Sequence, residues 1–146
     1  MKVFICAYGG FYVAIPMSSV ASLTDLKDRQ VVRRDAVVER DAESGDTYVS
    51  LPMLFDLPQE KLRHGIVLQT DGDDGGGKIV LLSTEVINTT EIPGEKIHPI
   101  PKSLNGTRFS GLFSGMQCAA EATRDAGLVI LLDTERLIGY VRREAA

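Results

Sequence analysis

The sequence predicts an all-β fold, a barrel or sandwich built from many short strands. Three observations lead there. Apolar residues come in short alternating or β-branched runs, as in Val3-Ile5-Ala7 and Ile79 to Leu82. Glycine-, proline- and acid-rich turns separate these runs at close spacing, and no segment carries sustained helical periodicity. At 146 residues the chain has the length of one domain and can bury a real core. Its 44% hydrophobic and 25% charged residues exclude global disorder.

The elements follow in order. Val3, Ile5 and Ala7 alternate, Gly9-Gly10 suits a turn with positive φ, and Phe11, Val13 and Ile15 alternate again, so the chain opens with a β-hairpin. Lys2, the apolar stretch to Met17 and Ser19-Val20-Ala21 also outline a secretory signal, but Gly9-Gly10 and Pro16 break its helix. No run approaches the ~20 apolar residues of a membrane span. Val20 and Leu23 follow, then a polar connection, then the β-branched pairs Val31-Val32 and Val37-Val38. Ser44-Gly45-Asp46 turns into a strand at Tyr48 to Leu51, and Leu54 and Leu57 suggest a short helical turn stopped by Pro58. Ile66 to Leu68 and Ile79 to Leu82 are strands joined by the Asp71–Gly77 loop. Gly127 to Ile138 is an apolar strand leading into a short acidic and basic stretch. Little helix is expected, with Ala119 to Arg124 the segment whose composition best suits a short one.

Several function classes drop out. A net charge of −4 argues against nucleic acid, and the pairs Arg33-Arg34 and Arg142-Arg143 are each flanked by acids. Two cysteines, Cys6 and Cys118, make no disulfide framework and read as reduced thiols, which implies a cytoplasmic location. Gly72 to Lys78 has Walker spacing as far as the lysine, but Ile79 replaces the required Ser or Thr and a strand replaces the helix. Asp71-Gly72-Asp73 starts like a calcium loop, yet Leu82 stands where the bidentate glutamate belongs. His64 and His98 lie in no metal-ligand spacing, and the glycines around Ser114 miss the nucleophile-elbow register. Neither a cofactor, a metal nor an enzymatic activity is expected.

Four segments carry a family likeness. Ala14 to Leu23 reads apolar-Ile-Pro-x-x-x-Val-x-x-apolar, and Val49 to Leu54 parallels a Pro-Val-Ile-Asp-Leu motif. Val86, Glu95, Ile97, Pro99 and Pro101 fit a Val-x-x-Val element followed by Glu-x-Ile-x-Pro-x-Pro. Leu131 to Leu137 reads Leu-Leu-Asp-x-Glu-x-Leu. In order and spacing, over nearly the whole chain, the sequence resembles a divergent member of the CheW-like domain family, the module that couples chemoreceptors to the histidine kinase CheA in bacterial chemotaxis. The resemblance implies that residues 1–146 form a single domain of two intertwined, packed, five-stranded SH3-like β-barrels with few short helical turns. It places Ala14–Leu23 and Lys78–Pro101 in different barrels.

The resemblance also implies a non-catalytic adaptor whose partners are a CheA-type kinase's regulatory domain and the helical tip of a chemoreceptor. By motif position the apolar anchors are Val20, Leu23, Val38, Val86 and Ile87, with Arg40 as the charged contact. The chain departs from the pattern in three places. The family's Asn-Leu-Arg-Gly turn is replaced by Val37 to Asp41, so Arg40 supplies its arginine after a short insertion, and without a gap the position falls on Gly45. Val80 to Thr84 replaces a Gly-x-x-Val-Asp element, and Gly115 to Gly127 makes a long last connection. Two other classes stay open: a small-ligand or nucleotide-binding β-barrel sensor, or an enzyme in the groove where His98 meets an acid.

Overall fold

The computed structural model describes residues 1–8, 11–25, 36–55, 62, 64–70, 77–83, 86–98, 113–118 and 128–145. The strands are β1 (Lys2–Tyr8), β2 (Phe11–Pro16), β3 (Val20–Asp25), β4 (Val38–Arg40), β5 (Thr47–Ser50), β6 (His64–Leu68), β7 (Ile79–Ser83), β8 (Val86–Glu91), β9 (Phe113–Cys118) and β10 (Leu128–Leu132). Among the described residues two α-helices join them: α1 (Leu51–Leu54) and α2 (Thr134–Ala145). The protein is therefore mostly β, as the alternation predicts.

The strands make two five-stranded sheets, β8-β1-β2-β10-β9 and β3-β6-β7-β5-β4. The chain divides into two compact units that each contain one sheet: Met1–Ser18 with Val86–Leu137, and Ser19–Glu85 with Ile138–Ala146. The expectation for Ala14–Leu23 and Lys78–Pro101 is corrected here. Each segment straddles both units, because each leads from the second strand of a hairpin into the end strand of the other sheet.

The sheets share one pairing plan. Along each order the successive pairs are antiparallel, antiparallel, parallel and antiparallel. β8, β9, β10, β1 and β2 thus correspond in turn to β3, β4, β5, β6 and β7. The sequence shows no usable internal repeat, but the topology is one. The correspondence extends to the helices, since α1 follows β5 and α2 follows β10.

Both helices start the same way. Ser50, at the end of β5, accepts the Met53 N–H on its side-chain oxygen at 3.4 Å. Asp133, just after β10, accepts the Arg136 N–H on Oδ1 at 3.2 Å. Each satisfies an N–H that has no partner within the helix. Four residues on from each cap stands a fully buried leucine, Leu54 and Leu137. The second helix, 12 residues long, corrects the expectation of short helical turns alone. Thr134, Leu137 and Val141 are its buried stripe, while Glu135, Arg136, Arg142 and Arg143 are exposed. Ala119–Arg124 lies outside the described residues.

Each unit has its own apolar core. In the first, Val3, Ile5, Ala14, Ile92, Val129 and Leu131 cluster, with Tyr12 and Ile97 against them. In the second, Leu62, Val67, Val80 and Leu82 cluster with Tyr48. The opposite faces are buried too, through Cys6, Val13 and Ile15 in one sheet and Val49, Ile66 and Leu81 in the other. Complete burial of such a side chain contributes about 1.5–3 kcal/mol. The Cys6 thiol is one of these buried groups, and the Cys118 side chain lies outside the description. Among the described residues no strand pairing joins the ends of either sheet.

Candidate functional site

All six residues selected from the sequence lie on end strands. Val20 and Leu23 are on β3, Val38 and Arg40 on β4, and Val86 and Ile87 on β8. The first four belong to one sheet, at its opposite ends, and the last two to the other.

Register decides which of them share a face. Leu23 pairs with Ile66, Ile66 with Leu81, Leu81 with Val49, and Val49 with Val38. Directly opposite residues project to the same side, so these five form one apolar row across the whole sheet. Its middle is fully buried at Ile66, Leu81 and Val49. Its ends are not: Val38 is half-buried and Leu23 is 47% exposed. Leu23 is thus an exposed leucine at the end of a row whose middle is buried.

A bulge adds Val20 to this face. Val20 pairs with Leu68 and Ser22 with Val67, which leaves Ala21 as an extra residue. Val20 and Leu23 are three apart and would face opposite ways in a regular strand; the bulge puts both on the Ile66–Leu68 side. Arg40, two residues beyond Val38 and paired with Thr47, is on that side as well and is exposed. In β8 the same irregularity recurs: Cys6 pairs with Val86 and Ile5 with Asn88, so Ile87 is the extra residue. The bulges left no signal that alternation alone could reveal.

Behind Arg40 the chain is held by a dense turn. The Asp41 N–H donates to the Asp46 carbonyl at 2.8 Å, and the Gly45 N–H donates to the Asp41 carbonyl at 2.8 Å. The Asp41 carboxylate accepts from the Glu43 N–H at 3.1 Å and from the Ser44 hydroxyl at 3.1 Å. Gly45 has φ +76°, which favours glycine. The turn is tied in turn to the residues before β7. The Lys78 N–H donates to Asp46 Oδ1 at 2.8 Å, the Gly77 N–H to the Gly45 carbonyl at 3.2 Å, and the Thr47 N–H to the Lys78 carbonyl at 2.8 Å. A Cβ on Gly77 would come within 2.6 Å of the Gly45 carbonyl oxygen. The last glycine of the would-be phosphate loop therefore has a packing reason to be glycine, and residues 71–76 lie outside the description.

His64 is half-buried in β6, His98 is exposed, and Ser114 is a residue of β9. Among the described residues no three His, Cys, Asp or Glu side chains gather as a metal site, and no helix is long and apolar enough to cross a membrane.

No protein-family model matches the sequence, and no curated protein matches it by sequence. A solved structure does resemble it: the scaffolding protein TtCheW from Thermoanaerobacter tengcongensis, at a TM-score of 0.61 and 14% identity, over 90% of this chain and 83% of that one. The protein has a CheW-like fold.

Proposed function

We propose that this protein is a non-catalytic scaffold that couples chemoreceptors to a CheA-type histidine kinase. The observation that carries this is the CheW-like fold over nine-tenths of the chain. Val49–Leu54 and Leu131–Leu137 span the two strand-to-helix junctions, and Ala14–Leu23 spans the β2–β3 crossing. In this reading residues 1–146 work as one cytoplasmic domain, with each sheet closing into an SH3-like barrel. Closure would join β3 to β4 and β8 to β9, and so bring Leu23 and Val38 side by side.

The partner-binding residues are then Val20, Leu23, Val38, Val86 and Ile87 as apolar anchors and Arg40 as the charge that sets register. Buried anchors supply most of an interface's energy and rim charges tune it. The exposure of Leu23 and Arg40 on one sheet face supports the assignment. A kinase regulatory domain of similar fold and an amphipathic receptor helix are the occupants in view. The alternative of a nucleotide-binding barrel loses ground at Gly77, which packs on Gly45 and Asp46.

The test is reconstitution. Receptor-bearing vesicles, a CheA-type kinase and this protein are mixed, and kinase autophosphorylation is followed. The rate is expected to respond to receptor ligand only when all three components are present. A rate indifferent to this protein at every ratio contradicts the proposal.

A further inference from the structure

We infer that Asp46 and Gly77 are positioning residues for Arg40. The inference rests on Arg40 as the charged contact, and it adds the residues that determine where that contact stands. Arg40 is the last residue of a strand only three residues long, which among the described residues pairs with β5 and ends at Arg40. What lies directly beyond is Asp41, whose backbone N–H and C=O both bond within the turn, to Asp46 and Gly45. That turn is fixed in space by its bonds to Gly77 and Lys78, at the entry to β7.

The chain of contacts therefore runs from the buried strand β7 through Lys78 and Asp46 to Asp41 and Arg40. Two features give it a defined geometry. Asp46 Oδ1 is the acceptor for the Lys78 N–H, and the missing side chain of Gly77 lets the turn approach. A group at the end of an exposed strand otherwise frays, and a contact charge that must first be ordered binds more weakly.

A double-mutant cycle separates positioning from general stability, with titration calorimetry against a CheA-type kinase regulatory fragment as the readout. Asp46→Ala is expected to weaken binding by at least about threefold in the wild-type chain and to have almost no effect once Arg40→Ala is present. Asp46→Asn keeps an acceptor oxygen and should bind like wild type. Equal factors in both backgrounds, or no loss in Asp46→Ala while Arg40→Ala does lose affinity, overturn the inference and leave the binding site standing. An Arg40→Ala chain that binds normally overturns both. Should Asp46→Ala fail to fold, Ser44→Ala serves in the same cycle, since it removes the hydroxyl that bonds Asp41 and the Asp46 N–H.

Discussion

Val20 and Val86 occupy the same place in the two sheets. Each is paired with the strand next to it, to Leu68 and Cys6 respectively, and each stands directly before the extra residue of a bulge. Two end strands with no sequence likeness are thus kinked at equivalent points. A bulge bends a strand, interrupts its ladder and re-aims its side chains, so the two edges depart from regular pairing in the same way.

Leu23 and Ile66 are partners in one cross-strand row but should respond in opposite ways to mutation. Ile66→Ala empties a fully buried position and is expected to cost about 2–5 kcal/mol. Leu23→Ser, at a 47% exposed end, should cost within ~0.5 kcal/mol yet weaken partner binding. Urea denaturation measures the first and a pull-down with the kinase regulatory fragment the second. A Leu23→Ser chain as unstable as Ile66→Ala would make Leu23 ordinary core.

Gly77→Ala should destabilise the fold by about 1–3 kcal/mol, because the new Cβ would meet backbone atoms of Gly45 as well as the Asp46 carboxylate. Thermal unfolding followed by circular dichroism reads the loss. A midpoint equal to wild type would show that the turn moves aside freely.

Asp133→Ala and Ser50→Ala remove the equivalent caps of α2 and α1. Each is expected to cost about 0.5–2 kcal/mol, with Ser50 at the upper end because its side chain is 1% exposed and its bond to Met53 is partly buried. Asp133 also meets Arg136 at 3.5 Å, but Arg136 is 63% exposed and that pair adds little. Asp133→Asn, which still caps, should recover most of the loss in denaturation midpoint.

How much was legible in the sequence follows from what each signal encodes. Alternation at Val3-Ile5-Ala7 and Phe11-Val13-Ile15 marks both strands of the first hairpin, and Tyr8 pairs with Phe11 across the two glycines, whose own placement lies outside the description. Ser44-Gly45-Asp46 does sit in the β4–β5 turn. The helix α2 was missed because Glu135, Arg136, Arg142 and Arg143 dominate its composition. Its signal was sparse: a capping Asp133, then Leu137 and Val141 four apart. The bulges at Ala21 and Ile87 could not be read at all, since an inserted residue changes facing without changing composition. Nor could the shared topology, which lives in strand partners and not in residue identity.

The central claim is that the exposed Arg40, at the end of β4, engages a CheA-type kinase. Its most direct test is titration calorimetry of wild type and Arg40→Glu against the kinase regulatory fragment, with circular dichroism confirming that both are folded. Charge reversal at an exposed position should leave stability within ~0.5 kcal/mol. The wild type is expected to bind and the folded Arg40→Glu chain to lose at least about tenfold in affinity, as for a charge that sets an interface's register. Absence of wild-type binding, or equal affinity in the two chains, would contradict the account.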